Sequence, residues 1–386
     1  MTERWIDQPA DLEILIDTLI AEPRYAIDTE FHREKTYYPR LALVQLAWPG
    51  DLVLVDPLAI DPKAFIRLFD SPALAVAHAA QQDLDVLSHA VGAIPEHLFD
   101  TQVAAGFSGR GAQMGYEALL GDVLGVRLRK SASFTRWDRR PLTAEQVQYA
   151  REDVLHIIQL AARLQEELTS LERLDWAREE CAFLERISDE RDLETVFTRL
   201  PRVGGLDPAI RAVARELVEW REETARSQDK PVSSVLPDAP LIEIARRRPK
   251  DMERLQQIRG LHEGTLRRRG RDILAAVERG REREPIPRDG DKPISGDPLD
   301  APAVALSEAL VRTRTLEAEL AYELVAARAD LERIVRAMRT GADEPEVRTL
   351  QGWRRELVGS ELLELLRGRK RLRLGTDQRL AVEPAE

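Results

Sequence analysis

Short apolar runs alternate with stretches of helical periodicity in the first half of the chain. The runs at residues 25–27, 41–48 and 52–55 predict three successive strands, and Pro39 and Pro49-Gly50 mark the loops between them. Consecutive strands with such short connections predict an antiparallel meander. Further strands are expected at 73–77 and 98–100, and helices near 62–69, 82–91, 101–107 and 116–124. The alternation predicts a mixed α/β sheet with helices on its faces.

A long helix and a helical second half follow this region. Residues 126–141 predict an irregular loop, and Thr143 predicts the N-cap of the long helix after it. Beyond about residue 170 strand patterns disappear, and apolar residues recur at helical spacing, as at Ile210, Val213 and Leu217. Residues 282–298 combine Pro, Gly and charge, which is typical of a linker. The pattern therefore predicts an α/β domain, a small helical domain, a linker and a second small helical domain.

Composition narrows the class of protein. The 386 residues are 43% hydrophobic and 32% charged, which excludes wholesale disorder, a collagen-like repeat and a membrane bundle. A single cysteine, Cys181, excludes an internal disulfide and a cysteine-rich zinc site, and favours a reducing, cytoplasmic setting. No secretory signal and no apolar run of roughly 18–20 residues is visible, so we expect a soluble protein without a membrane partner.

Charge is unevenly distributed along the chain. Residues 1–200 hold 21 Lys and Arg against 34 Asp and Glu, a net charge of −13, whereas residues 201–386 carry +2. An acidic balance opposes nucleic-acid binding, because a polyanion is repelled. Metal ions bound by clustered carboxylates would remove that objection, and so would the basic runs at 246–248, 267–271 and 367–373. The alternative for each run is a solvated helix face.

Three acidic motifs are candidates for chemistry. Asp28 and Glu30 end the first predicted strand on one face, about 6–7 Å apart, where both can converge on one cation. Asp83 opens the helix after the 73–77 strand, where an N-terminal helix cap is the alternative. Tyr149 and Asp153 are four residues apart in the long helix and share a face. Each motif is weak evidence by itself, and the ordered set is stronger.

This ordered set resembles the three exonuclease motifs of the DEDD superfamily, Tyr subclass, and its surroundings are similar to ribonuclease D over about residues 1–170. The histidine of the sister subclass would fall at Gln148. The sequence segments that carry this similarity are Ala-Ile-Asp-Thr-Glu-Phe (26–31), Thr-Tyr-Tyr-Pro (36–39), Leu-Val-Gln-Leu (43–46), Phe-Asp-Thr-Gln (99–102) and Arg-Pro-Leu (140–142).

The resemblance implies a ribonuclease-H-like, DnaQ-like 3′→5′ exonuclease domain at 1–170, a mixed sheet flanked by helices. A helical connector at 171–206 and two small all-α HRDC domains, at 207–281 and 299–384, would follow, with the linker at 282–298 between them. Leu217, Trp220, Pro231 and Gly260 carry the likeness of the first HRDC domain, and Gly352-Trp353-Arg354 carries the looser likeness of the second.

The implied activity is metal-dependent release of nucleoside monophosphates from RNA 3′ ends, with tRNA precursors as substrates. Two divalent ions, Mg²⁺ or Mn²⁺, suit a carboxylate site because hard cations prefer oxygen ligands. The resemblance implies that Asp28 bridges both ions, that Glu30 and Asp153 complete the site of the attacking water, and that Asp83 binds the second ion. Tyr149 would orient that water, since a phenol with a pKa near 10 is a poor base.

Several residues have two interpretations. Candidates for RNA contact are Phe31, His78, Lys130, Trp137 and Arg140, by stacking or by phosphate binding. A packed or hydrogen-bonded histidine is the alternative for His78, and loop packing is the alternative for the last three. Asp100 either supports the site or caps the helix that follows it. Asp85 competes with Asp83 but is offset by two positions on the helix.

Three functions are compatible with these motifs: an exoribonuclease, a DNA exonuclease using the same carboxylates, or a catalytically silent RNA-binding scaffold. The presence of all four acids and the tyrosine argues against the scaffold. The helical domains are expected to position RNA, with protein docking or structural bracing as the alternative. We expect a cytoplasmic monomer.

Overall fold

The computed structural model describes residues 4–32, 35–128, 136–184, 192–288 and 298–385. The strands are β1 (Arg4–Ile6), β2 (Arg24–His32), β3 (Arg40–Trp48), β4 (Asp51–Val55), β5 (Leu74–Ala77), β6 (Leu98–Asp100), β7 (Lys370–Leu374) and β8 (Leu380–Pro384).

The rest of the described chain consists of helices and the loops that join them. The α-helices are α1 (Pro9–Ile20), α2 (Ile66–Phe69), α3 (Gln81–Val91), α4 (Thr101–Phe107), α5 (Tyr116–Val123), α6 (Ala144–Leu155), α7 (Ile157–Ser170), α8 (Leu174–Leu184), α9 (Leu193–Thr198), α10 (Pro208–Ser227), α11 (Val232–Val235), α12 (Asp238–Arg247), α13 (Met252–Gln256), α14 (Glu263–Glu282), α15 (Asp300–Glu317), α16 (Tyr322–Val325), α17 (Arg328–Thr340), α18 (Gly352–Arg354) and α19 (Ser360–Leu366). The 3₁₀-helices are Pro62–Phe65, Val203–Gly205 and Arg348–Leu350, and Arg355–Gly359 is a π-helical turn.

The first six strands form one mixed sheet in the order β1-β4-β3-β2-β5-β6. Strands β3 and β4 are antiparallel, whereas β2, β5 and β6 run parallel, with Ala26 beside Val76 and Val76 beside Phe99. Carboxyl ends of neighbouring parallel strands meet at one edge of a sheet. The residues that end or follow β2, β5 and β6 therefore gather at that edge.

The sheet and helices predicted from the apolar pattern are confirmed, with local differences. Strand β2 extends to His32, so Asp28 and Glu30 lie within the strand rather than at its end. The long helix is interrupted at His156, between α6 and α7. The expectation of helices alone after residue 170 is wrong for the last residues, because β7 and β8 form an antiparallel hairpin. The side chains of Lys370-Arg371-Leu372-Arg373-Leu374 alternate at period two, as a strand requires.

Two compact units divide the chain. The first contains Met1–Glu30, Leu41–Ile187 and Gly296–Glu386, and the second contains Phe31–Arg40 and Ser188–Ser295. In the first unit, buried residues of the sheet, of α4 and α7, and of the C-terminal helices belong to one hydrophobic core. In the second, Leu217, Ile244 and Ile273 centre a helical core. None of the helices in the described ranges is long and apolar enough to span a bilayer.

Candidate active site

Three carboxylates from two elements converge at the sheet edge. Asp28 and Glu30 occupy alternate positions of β2, and Asp153 comes from the last turn of α6. One oxygen of each residue lies within 4.8 Å of an oxygen of the other two. Oxygens at that spacing can share a single cation, because metal–oxygen bonds of about 2.0–2.6 Å hold ligands of one ion at such distances.

Asp83 is fixed beside this group by the strand itself. It occupies the first turn of α3, and its Oδ1 accepts hydrogen bonds from the main-chain N–H of Thr29 at 3.2 Å and from the Thr29 hydroxyl at 2.5 Å. Its oxygens are outside the three-residue group, but its charge raises the pKa of Asp28, Glu30 and Asp153. The four acids therefore form one electrostatic cluster.

Burial is the largest cause of the raised pKa values in this cluster. Desolvation, followed by the charges of Asp153 and Asp83, raises the pKa of Glu30 to about 8. Desolvation and the charges of Glu152 and Asp83 raise the pKa of Asp153 to about 7, and desolvation raises that of Asp83 to about 6 against the Thr29 hydrogen bonds. The pKa of Asp28 lies well above its usual value. Carboxylates that are desolvated and repel one another fit a divalent cation, which supplies the missing positive charge.

Tyr149 lies one helical turn before Asp153, half-buried, with its ring centroid 6.0 Å from that of Trp137. Desolvation, and then the charges of Asp153, Glu30 and Asp28, raise its pKa far above 10. The phenol therefore keeps its proton at neutral pH. It can donate a hydrogen bond to a water or an oxyanion, but it cannot take up a proton as a base.

Asp100 fulfils both interpretations that the sequence left open. Its Oδ1 accepts from the N–H groups of Gln102 and Val103, which caps α4. The same carboxylate accepts from Ala79 at 3.2 Å and from Ala80 at 2.7 Å, in the turn that leads into α3. Ala79 has a φ of +57°, in the left-handed region that costs a non-glycine residue about 1–2 kcal/mol. Asp100 thus stabilises the strained turn that positions Asp83.

Comparisons with known proteins identify the family of the chain. A family model described as 3′-5′ exonuclease matches residues 3–169, and the HRDC domain model matches residues 210–277. The chain is 38% identical to ribonuclease D of Nitrobacter hamburgensis, over 98% of this chain and 99% of that one. It is 39% identical to ribonuclease D of Gluconacetobacter diazotrophicus, over 95% and 93% of the two chains. The chain belongs to the ribonuclease D family.

A solved structure supports the same assignment. The crystal structure of Escherichia coli RNase D, an exoribonuclease involved in structured RNA processing, matches with a TM-score of 0.81 and 29% identity, over 95% of this chain and 99% of that chain. The predicted fold class, an exonuclease sheet domain followed by helical HRDC structure, is confirmed. As a member of the ribonuclease D family the chain is a hydrolytic 3′→5′ exoribonuclease. Its exonuclease family implies divalent metal ions.

The residues predicted to contact RNA have largely structural surroundings. The Trp137 side chain is 2% exposed and belongs to the hydrophobic core. Arg140 donates from Nε and Nη2 to both oxygens of Asp56, at 2.5 and 2.6 Å, and from Nη2 to the Ala42 carbonyl at 2.6 Å. The packing alternative therefore describes Trp137, whereas the Arg140 guanidinium is held by Asp56 and the Ala42 carbonyl and its side chain remains 24% exposed.

The other three candidates are placed differently. His78 pairs through Nδ1 with the Thr101 hydroxyl at 2.9 Å, and its ring lies 5.4 Å from that of Tyr116. Burial lowers the pKa of His78, so the ring is neutral at neutral pH. This is the hydrogen-bonded alternative. Phe31 follows Glu30 in β2 and is half-buried, and Lys130 lies outside the described residues.

Three residues near the acids were not identified from the sequence. Thr29 holds Asp83, and Gln45, which is 0% exposed, donates from Nε2 to Asp28 Oδ2 at 3.4 Å. A lone polar residue inside the apolar β3 was the available signal for Gln45. Tyr116 lies close enough that the charges of Asp153 and Asp28 add to burial in raising its pKa. Nothing in the sequence distinguishes it from an aromatic core residue.

Asp83→Asn and Asp85→Asn form a matched pair on α3. We expect Asp83→Asn to lower exonuclease kcat by at least about a hundredfold, because it removes a charge from the cluster and weakens the Thr29 contacts. Asp85→Asn should stay within about twofold of the native rate. Initial rates on a labelled oligoribonucleotide at saturating Mg²⁺ measure both. Equal losses of kcat in the two variants would contradict the assignment of Asp83, rather than Asp85, to the carboxylate cluster.

Proposed function

We propose that this enzyme trims the 3′ ends of structured RNA, with tRNA precursors among its substrates, by two-metal-ion hydrolysis that releases nucleoside monophosphates. The observation that carries the proposal is the convergence of Asp28, Glu30 and Asp153 beside Asp83 at one sheet edge. The likeness to Escherichia coli RNase D supports structured RNA as the substrate class. A cytoplasmic, monomeric enzyme is part of the proposal, and light scattering in solution tests the oligomeric state.

The four acids would hold two Mg²⁺ or Mn²⁺ ions. Asp28, Glu30 and Asp153 offer oxygens for one shared position, and Asp83, tied through Oδ1 to Thr29, would serve the other. Bound divalent ions lower the pKa of the attacking water and stabilise the leaving 3′-oxygen. This donor set is all oxygen, which favours hard cations over Zn²⁺.

The chain's own groups position the reactants. Tyr149, protonated at neutral pH, would donate a hydrogen bond that orients the attacking water or a phosphate oxygen. Gln45 holds Asp28 through Oδ2, and Thr29 holds Asp83 through Oδ1, so that two carboxylates keep their orientation during turnover. Such fixed partners reduce the reorganisation needed in the transition state.

Exposed arginines of the second unit support RNA binding by that unit. Arg267 and Arg271 are one turn apart on α14, and Arg246 and Arg259 are also exposed on this helical unit. Lys and Arg contacts to phosphates give sequence-independent affinity that falls as salt rises. We propose domain bounds of 1–170, 171–206, 207–281, 282–298 and 299–384, with the matches at 3–169 and 210–277 in support.

Digestion of matched substrates tests the proposal. A 5′-labelled tRNA precursor should shorten progressively, and a 3′-labelled one should release labelled mononucleotide at once, with Mg²⁺ or Mn²⁺ but not with a chelator. An RNA oligonucleotide should be degraded at least about tenfold faster than its DNA counterpart. Asp153→Asn, which keeps the side-chain shape, is the inactive control. Preference for DNA, release of internal fragments, or unchanged activity in Asp153→Asn would refute the proposal.

A further inference from the structure

The segment Phe31–Arg40 begins directly after Glu30 yet belongs to the second compact unit. Its first two residues complete β2, which carries Asp28 and Glu30, and its last residue begins β3, which carries Gln45. This one segment therefore joins β2 and β3, the two strands that bear site residues. Arg40, the first residue of β3, lies three residues after Tyr37, so a contact that holds Tyr37 acts close to the start of that strand.

Tyr37 is the buried centre of this segment. Its side chain is 4% exposed, packs with Ala225 and Val235, and meets Tyr38 edge to face at 4.9 Å. Its hydroxyl donates to Oε2 of Glu222 at 3.1 Å. Glu222 is itself only 1% exposed, and a buried carboxylate requires such partners because its desolvation is costly.

A second contact acts on the main chain of the same segment. Oδ1 of Asp229 accepts from the N–H of Tyr37 at 3.0 Å and from that of Tyr38 at 3.4 Å. Asp229 has a φ of +44° and lies just beyond the C-terminus of α10, where a negative charge opposes the helix dipole. Asp229 thus combines a strained backbone conformation with an unfavourably placed charge, and its carboxylate holds the segment.

We propose that Tyr37 is a positioning residue for catalysis, through which the HRDC-containing unit holds the chain that follows Glu30. The proposal rests on the proposed function at the carboxylate cluster and adds a role to the helical unit beyond RNA binding. Release of Tyr37 would loosen the connection between β2 and β3, and misplacement of a reacting group by 1 Å can lower the rate about a hundredfold. The consequence is a lower kcat even on an RNA that offers the helical unit few phosphates.

Two pairs of variants test this role. Tyr37→Phe removes the hydroxyl but keeps the ring packing, and Glu223→Gln is its control, an exposed neighbour of Glu222 on α10. Asp229→Gly removes the carboxylate without strain at φ +44°, whereas Asp229→Asn keeps an acceptor oxygen and tolerates that conformation. Thermal unfolding followed by circular dichroism shows that each variant is folded.

Kinetics on a tetraribonucleotide and on a structured RNA decide the outcome. We expect Tyr37→Phe and Asp229→Gly to lower kcat about tenfold on both substrates, with KM for the tetranucleotide within twofold of the native value. Asp229→Asn and Glu223→Gln should stay within about threefold of the native kcat. An unchanged kcat on the tetranucleotide with a raised KM for structured RNA alone would overturn the positioning role. Absence of metal-dependent hydrolysis by the native enzyme would refute the proposed function itself, and this role with it.

Discussion

Asp28→Asn is expected to lower exonuclease turnover by about a thousandfold or more while stabilising the metal-free protein. Asp28 feels the charges of Asp83, Asp153 and Glu30, and it is one of the three acids whose oxygens approach within 4.8 Å. Metal ions supply several kcal/mol of transition-state stabilisation, and each 1.4 kcal/mol or so is a factor of ten in rate. A neutral amide cannot replace the shared carboxylate, but it removes the repulsion that burial intensifies.

The stability effect has a defined pH dependence. Glu30, Asp153 and Asp83 have folded-state pKa values of about 8, 7 and 6, above their unfolded values near 4. At pH values between the unfolded and the folded pKa values, the folded state binds more protons than the unfolded state, so the free energy of unfolding falls as pH rises. The stabilisation that these raised pKa values give the metal-free folded state is fully present below about pH 4. It is lost as the pH rises through 6 to 8, and the free energy of unfolding then falls by an amount on the order of a few kcal/mol.

Urea unfolding in EDTA at pH 5, 7 and 9 measures this dependence, and Mg²⁺ should restore stability at pH 7 and 9 by binding the folded state. Asp28→Asn should flatten the pH dependence and abolish most of the gain from Mg²⁺. Glu152→Gln is the control: it removes a charge that raises the pKa of Asp153 but is outside the three-residue group. If the metal-free native protein became more stable from pH 5 to pH 9, the raised pKa values of the clustered acids would be contradicted.

The parts of the site that the sequence predicts are those set by local geometry. Strand alternation brings Asp28 and Glu30 to one face, and helical spacing does the same for Tyr149 and Asp153, so short-range periodicity was sufficient for each pair. The resemblance to ribonuclease D supplied their order. The structure adds the register of β2, β5 and β6, which brings Asp83, in the first turn of the helix after β5, to the sheet edge where Asp28 and Glu30 lie.

The unpredicted parts depend on contacts between distant residues. Arg140 sits in a basic loop, which suggests phosphate binding, but its guanidinium is engaged by Asp56 and by the Ala42 carbonyl from the sheet. Asp83 is held by Thr29, a residue that alternation assigns to the opposite face of the strand from Asp28 and Glu30. Neither contact has a signature in residue spacing, because each partner lies in another element of the fold.

The C-terminal region is the clearest case of long-range packing. The sequence predicts a separate helical domain there, whereas the structure includes Gly296–Glu386 in the same compact unit as the exonuclease sheet. Trp353, 1% exposed, lies with its ring centroid 4.9 Å from Phe107 and 5.5 Å from Trp176. A shared core is what structural bracing, the alternative to RNA positioning for this region, predicts.

Polar contacts fix the orientation of Trp353 in this core. Its main-chain N–H donates to Glu179 at 3.2 Å, and its indole Nε1 donates to Glu180 at 3.3 Å. Arg354 pairs with the same Glu180 at 2.8 Å. Gly352 has a φ of +46°, and a Cβ at this position would collide with the Glu179 carboxylate. The left-handed φ and the position of the Glu179 carboxylate both favour glycine here.

Trp353→Ala is accordingly expected to destabilise the exonuclease unit by about 3–5 kcal/mol, the usual loss for a buried aromatic replaced by alanine. Activity at 25 °C should persist while the protein remains folded, and the temperature of inactivation should fall by several degrees, since Trp353 is remote in sequence from every acid of the cluster. Urea unfolding and residual activity after heating measure the two effects. Leu316→Ala, at a 78% exposed position of α15, is the control and should change stability by less than about 0.5 kcal/mol.

A Trp353→Ala protein as stable as the control would mean that the C-terminal helices contribute nothing to the exonuclease core. A protein of native stability with lower activity on structured RNA would instead favour RNA positioning by this region. Loss of stability together with earlier thermal loss of the nuclease is the result that a shared core demands. Trp353 packs against Phe107 and Trp176 in one core, so loss of packing in the C-terminal segment is expected to destabilise the exonuclease segment as well.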